Sequence, residues 1–295
     1  VKNSQDLQLS QLVDMSTPAA VFEEVKYNFI QYYPVSAFFE VRAAFNDFNL
    51  LFEGKYPHYR ACNTKFHDKV HTTDALLAVS RLIDGYNIRR GKLPLEQVRT
   101  ALIATIFHDT GYIQLDNDRK GTGAKYTLEH VGRSIGFMKE YFKRRAFPRH
   151  RFLSAGRMVS CTGLSRDLNK IKFVSKSERV LGFMLGSADL LGQMASRTYL
   201  ERLLYLYREF REGNVKGYPS EIALFQKTLK FYEDTKRRLC ETLKGVNKYV
   251  VFHFGKRYGA DEDLYLNAIE RQIVYLGEIL ECRKDSFRGG LRRRA

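Results

Sequence analysis

The stretch NTKFHDKVHTTDALLAVSRLIDGY, residues 63–86, decides how the rest of the chain is read. Its apolar residues Val70, Ala75, Leu76, Ala78, Val79 and Leu82 recur at steps of three and four, which is the spacing of a helix face and not of a strand. Working outward, the same period runs through PLEQVRTALIATIFHD (94–109), where Pro94 suits a first helical position because its missing N–H is not needed there. It continues in YTLEHVGRSIGFMKEYFKRRA (126–146), whose basic last turn complements the helix dipole. Further helices are expected over 149–161, 177–192, 196–212, 219–243 and 261–283. The β-branched stretches IKFV (171–174) and YVVFHF (249–254) are short and isolated, while 113–125, 162–176 and 213–219 read as loops. The expected fold is therefore all-α: a single compact multi-helix domain over 56–285, an N-terminal helical segment (1–55) packed on its core, and a basic C-terminal tail (286–295).

With 44% hydrophobic and 28% charged residues, the composition excludes disordered, collagenous and low-complexity chains. No apolar run approaches the roughly 18 residues of a membrane span. The start VKNSQDLQLS is too polar for a signal peptide. Cysteines 62, 161, 240 and 282 are scattered without a C-x-x-C, so neither a disulfide framework nor a zinc ribbon is encoded, and free thiols in a cytoplasmic protein are expected. The 49 Lys and Arg against 33 Asp and Glu leave a net charge of +16, which favours anionic partners: phosphates, nucleic acid or an acidic membrane. Basic clusters stand at 143–151 (KRRAFPRHR), 236–238 and 292–294.

The residues that carry chemistry are unevenly placed. His67 and His71, four apart, share one helix face. His108 and Asp109 end the apolar helix ALIATIFHD, and Asp189 lies inside another apolar helix, GFMLGSADLLGQM. Polar groups in such surroundings are costly unless coordinated or hydrogen-bonded. Taken singly each has an ordinary reading, Asp189 for instance as the partner of a buried Arg157 or Arg179. Taken together, two imidazoles and two carboxylates from three helices form the ligand set of a divalent metal, of the kind helical bundles build from inward-facing side chains. His58, His150 and His253 have no such companions and read as structural.

In this order the pattern resembles the HD-domain metal-dependent phosphohydrolase superfamily, and within it the class I cyclic-nucleotide phosphodiesterases. FHDKVHTTDA (66–75) is similar to their Tyr-His-Asn-x-x-His-x-x-Asp-Val signature, IFHDTGY (106–112) to their His-Asp segment, TLEHVG (127–132) to Leu-Glu-x-His-His, and SADLLGQ (187–193) to Ala-Asp-Leu. The resemblance spans about residues 55 to 215 and implies an HD/PDEase-like domain. It further implies that His71, His108, Asp109 and Asp189 hold a first metal and that Asp109 bridges to a second. His67 would be the general acid, Glu129 would support the metal-bound water network, Asp74 would assist from the first helix, and His130 is a candidate extra ligand. Two His and two carboxylates suit Zn, Fe or Mn in the first site, and an oxygen-rich second site suits Mg or Mn.

The implied activity is hydrolysis of a nucleotide or related phosphate ester by attack of metal-bound hydroxide. Departures bear on the substrate. Thr110-Gly111-Tyr112 stands where class I phosphodiesterases carry Val-Asp-His, Asp68 replaces the signature Asn, and Gln272 in AIERQIVYLGEIL is the nearest counterpart of the purine-orienting Gln. Phosphate-ester hydrolysis therefore follows more directly than a cyclic nucleotide as substrate. Two alternatives stay open. One is a single-metal HD nucleotidase or (deoxy)nucleoside triphosphohydrolase. The other is a non-catalytic helical module that binds nucleic acid or an anionic membrane through its charge. The sequence leaves the oligomeric state open.

Overall fold

The computed structural model describes residues 7–282 and 287–291, and among them helix follows helix with no strand beyond the isolated bridge of Tyr59 with Leu115. In chain order these are α1 (Pro18–Ile30), α2 (Phe39–Phe52), α3 (Lys69–Arg90), α4 (Leu95–Ile106), α5 (His130–Arg144) and α6 (Arg149–Val159). Then come α7 (Lys176–Ala195), α8 (Tyr199–Glu212), α9 (Glu221–Arg237), α10 (Tyr249–Tyr258) and α11 (Leu264–Cys282). The all-α expectation holds.

Helix α3 is the axis of the molecule. Asp68 caps its N-terminus by accepting a hydrogen bond from the His71 amide at 2.9 Å, and Gly91, at φ 95°, ends it after the basic Arg89 and Arg90. It packs against α1, α4, α7 and α10, so it is buried on every side and not only along its apolar stripe. Polar residues on its other faces are buried too: Ser80 Oγ accepts from Asn28, and Arg81 donates to the Tyr265 hydroxyl at 3.0 Å while lying over the Phe254 ring. Helix α7 approaches α3 closely at Gly192. A Cβ there would stand 2.8 Å from the Ala75 nitrogen, so a larger residue would push Asp189 away from His71 on α3.

The N-terminal segment carries α1 and α2, and its Val21, Val25, Phe29, Phe45 and Phe48 enter the same buried core, with Phe22 stacked on Phe45 at 4.0 Å. Two features differ from the sequence reading. YVVFHF opens helix α10, because burial of Val250, His253 and Phe254 against α3 outweighs the small helix penalty of β-branched residues. Part of the expected tail is packed: Phe287 lies 5.0 Å from the Phe225 ring, and Arg288 pairs with Glu221. Arg292–Arg294 and the Cys282 side chain lie outside the described residues. Cys62, Cys161 and Cys240 are free thiols. Among the described residues no helix is long and apolar enough to cross a membrane.

Candidate metal centre

Three local devices aim side chains at one point beside the start of α3. Helix α8 staples the 65–68 loop: Glu209 Oε1 accepts from the amides of Lys65 at 2.8 Å and Phe66 at 2.7 Å, and Arg202 donates to Phe66 O and to Asp68 Oδ1. After α4 the chain tightens into a 3-10 turn, Thr110–Tyr112, which turns His108 and Asp109 inward. That turn is clamped to α5, where the Gly111 amide donates to Ser134 Oγ at 2.8 Å and Arg133 donates to Gly111 O at 2.7 Å. Only glycine fits at 111, since a Cβ would meet His130 O at 2.0 Å.

The result is a buried group in which His71, His108 and Asp109 could hold a metal ion. His71 Nε2 lies 3.0 Å from Asp109 Oδ2 and 3.2 Å from Asp189 Oδ1, and His108 Nε2 lies 3.4 and 3.5 Å from the same two oxygens. Close as they are, His108 Nε2 and Asp109 Oδ2 have no hydrogen-bond partner. They stand among the other ligand atoms of the group without being bonded to them. Ligands bound at about 2.1 Å to one ion stand about 3.0 Å apart at octahedral angles and about 3.4 Å at tetrahedral ones. Three of the observed spacings fall in that range and the fourth, 3.5 Å, lies just above it, so these residues fit an ion.

Hydrogen bonds behind the rings fix which nitrogen is available. His108 Nδ1 lies 2.7 Å from Thr105 O, His130 Nδ1 2.7 Å from Thr127 O, and His67 Nδ1 2.7 Å from Glu209 Oε2. A carbonyl or carboxylate can only accept, so Nδ1 carries the proton and Nε2 faces the site in all three. Electrostatics follow from the crowding. Burial disfavours a charged His71, but Asp109 and Asp189 outweigh it and lift its pKa to about 10. Burial would raise Asp109 and Asp189, yet the adjacent histidines hold both well below the usual carboxylate range. Glu209 is likewise buried and still lowered, by His67 and by the Phe66 and Lys65 amides.

Most of the residues singled out from the sequence meet here. Tyr112, buried, is stacked between His67 at 4.2 Å and His130 at 4.7 Å. His130 Nε2 is 3.8 Å from Asp109 Oδ1, the oxygen not shared with His71 and His108. Asp74 is buried one turn further along α3; desolvation pushes its pKa up to about 8, and its Oδ1 has no partner. Glu129 is not brought in: it is exposed at the start of α5, and its carboxylate makes no hydrogen bond or ion pair. Nor is Gln272 free to orient a base, because its amide donates to Met194 O and Ser196 O at the end of α7. The ordinary reading of Asp189 fails, since Arg157 pairs with Glu178 and Arg179 is exposed. His150 pairs with Glu96 on the surface, His58 is exposed, and His253 is buried against Asp84.

Glu209 and Arg202 are the functional neighbours the sequence reading missed. They are seven residues apart on the α8 face that also carries Leu203 and Leu206, and this shared face is the signal that could have found them. A family model described as Npun_R2479-like matches residues 55–256, a span containing every side chain of the cluster. No curated protein and no solved structure matches the chain.

Proposed function

The chain belongs to the Npun_R2479-like family, and for it we propose a metal-dependent phosphohydrolase of the HD phosphodiesterase kind, acting on a nucleotide or related phosphate ester. The observation that carries the reading is the convergence of His71, His108, Asp109 and Asp189 at ligand-to-ligand distances, with His108 Nε2 and Asp109 Oδ2 left without a hydrogen-bond partner. These four would hold a first ion, of Zn, Fe or Mn character. Asp109 turns its second oxygen toward His130 Nε2, so the pair would serve a second ion, of Mn character if the imidazole binds it and Mg if only the oxygen does, which favours two ions over the single-ion nucleotidase or triphosphohydrolase alternative. When bound, such ions supply Lewis acidity, bringing the pKa of water toward neutrality and offsetting charge on phosphoryl oxygens.

The chain's own groups do the rest. His67 donates Nδ1–H to the Glu209 carboxylate, which fixes the ring with Nε2 toward the site, where it would pass a proton to the departing oxygen. Stacking on Tyr112 fixes the plane of that ring, and Glu209 is itself held by two backbone amides, so the donor is oriented before substrate arrives.

The test is elemental analysis of protein purified without chelator, with hydrolysis of bis(p-nitrophenyl) phosphate and a nucleotide panel measured in parallel. Near-stoichiometric metal is expected in the wild type and almost none in Asp109→Ala, two ions per chain marking the binuclear site and one the alternative. His67→Ala should keep its metal and lose about 10²–10⁴-fold in turnover. A metal-free wild type that also refuses added Mn, or hydrolysis untouched by Asp109→Ala, overturns the reading.

A further inference from the structure

The end of α3 remote from the metal centre opens onto a second feature. From His71 to Arg90 is nineteen residues of helix, about 28 Å of rise. There Arg89 and Arg90 line a cleft of about 1280 Å³ whose other walls are the segment entering α7 and the turn before α10. The α7 side contributes Lys172, Lys176 and Arg179, and the α10 side Lys244 and Lys248. All seven cations are exposed, and no aspartate or glutamate lines the cleft. Some surface cations elsewhere are paired with carboxylates, as in Lys26 with Glu23, Arg145 with Asp47 and Arg288 with Glu221. None of these seven is in an ion pair among the described residues. One concave surface thus gathers seven uncompensated charges on a chain whose whole excess is +16.

The walls between the charges are aromatic. Phe173, Tyr249 and Phe252 are half-buried there, with the Arg89 guanidinium 5.7 Å over the Phe252 ring, and Val174 projects 74% exposed beside them. The N-terminus of α7, capped by Ser175, adds the positive end of a helix dipole. A pocket for one small ligand is about 300–1,000 Å³, so the cleft is larger than a single nucleotide requires. Cations along a groove, interleaved with ring faces, suit a strand whose phosphates run along the groove and whose unpaired bases stack on its sides.

We propose that this cleft binds single-stranded nucleic acid, with Arg89, Arg90, Lys172, Lys176, Arg179, Lys244 and Lys248 as phosphate contacts and Phe173, Tyr249 and Phe252 as stacking surfaces. The proposal is independent of the metal centre. It is tested by fluorescence anisotropy of the full chain with labelled oligo(U) and oligo(dT) dodecamers over a salt series from about 50 to 200 mM, where counterion release makes affinity fall with salt. Saturable binding at low salt is expected. The triple variant Lys172→Glu, Arg179→Glu, Lys248→Glu should weaken it at least tenfold and flatten the log–log salt slope by about 2.

The control Lys139→Glu, Lys143→Glu, Arg144→Glu makes the same charge change on α5, away from the cleft, and should weaken binding less than threefold. Arg179→Ala, a single exposed position, should lower affinity measurably in protein whose circular dichroism and melting match the wild type. No binding at low salt, undiminished binding by the triple variant, or an equal loss in the control overturns the proposal. So does cleft-dependent association with vesicles of 30% phosphatidylserine in the absence of oligonucleotide binding, which would reassign the surface to a membrane.

Discussion

His253 and Asp84 meet in the core with Nδ1 2.7 Å from Oδ2, a direct hydrogen bond with no second carboxylate or imidazole beside it. Thirteen residues before Asp84 on the same helix, His71 faces two carboxylates and a second imidazole at 3.0 to 3.5 Å, where His108 Nε2 and Asp109 Oδ2 bond to nothing. Both groups are buried histidines with acids, and composition alone would not separate them. Geometry does. A pair in direct contact leaves no room for an ion between its atoms, whereas atoms held apart around a common centre can take one between them. The proton balance differs as well. Burial, opposed by Asp84, lowers the pKa of His253 and keeps it neutral, while the two carboxylates raise that of His71 to about 10.

The largest expected contrast comes from removing one member of each group. His71→Ala should abolish metal retention, with affinity falling by more than the roughly 10–100-fold that loss of a supporting contact costs. His253→Ala should keep full metal content and instead lose about 1–3 kcal/mol of folding stability, because Asp84 Oδ2 is left buried without its hydrogen-bond donor. Elemental analysis and urea melts of the two variants check this together. A folded His253→Ala that has lost its metal would break the comparison, since the two groups would then be one coupled network.

A smaller contrast lies in pH. Metal uptake requires His71 to surrender its proton, so affinity should rise about tenfold per pH unit between 6 and 8, measured by chelator competition. In chelator-treated protein the same proton works the other way: the contribution of His71 to stability is present below its ordinary 6.5 and is lost only as pH climbs through about 10. His253, with its folded pKa below 6.5, contributes stability above that value, which fades as pH falls through the folded pKa. Melts of apo wild type and apo His253→Ala should therefore converge toward acid and diverge above neutrality.

These contrasts also mark what the chain discloses in advance. His108, Asp109 and Asp189 are legible because a carboxylate inside an apolar helix is conspicuous, and His71 because its helix is periodic and ordered before them. Glu209 is hidden among the charges of YLERLLYLYREFRE, where one more acid raises no question until the fold turns it inward. Glu129 misleads for the opposite reason. Its neighbour His130 enters the site, but adjacent residues on a helix point about 100° apart, and Glu129 faces solvent. Helix α10 is masked by its β-branched residues, whose weak propensity gives way once α3 offers a surface to bury them. Periodicity and polarity in apolar settings are local signals, whereas partners that meet across more than a hundred residues, as Glu209 and His67 do, are not.

The finest test concerns Asp68, where the phosphodiesterase pattern has asparagine. Its Oδ1 both caps α3 through the His71 amide and accepts from Arg202, each at 2.9 Å. Asparagine caps as well as aspartate does, so Asp68→Asn keeps the hydrogen bond that starts α3 and loses only the charge facing Arg202, which still donates to Phe66 O. The expected cost is under about 1 kcal/mol, since the pair is partly exposed, with metal content unchanged. Asp68→Ala loses the cap itself, about 1 kcal/mol more, and frays the turn carrying His71, so metal occupancy should fall with stability. If Asn lowers occupancy as far as Ala, the charge on Asp68 and not the cap positions His71, and the staple from α8 becomes part of the metal centre instead of its support.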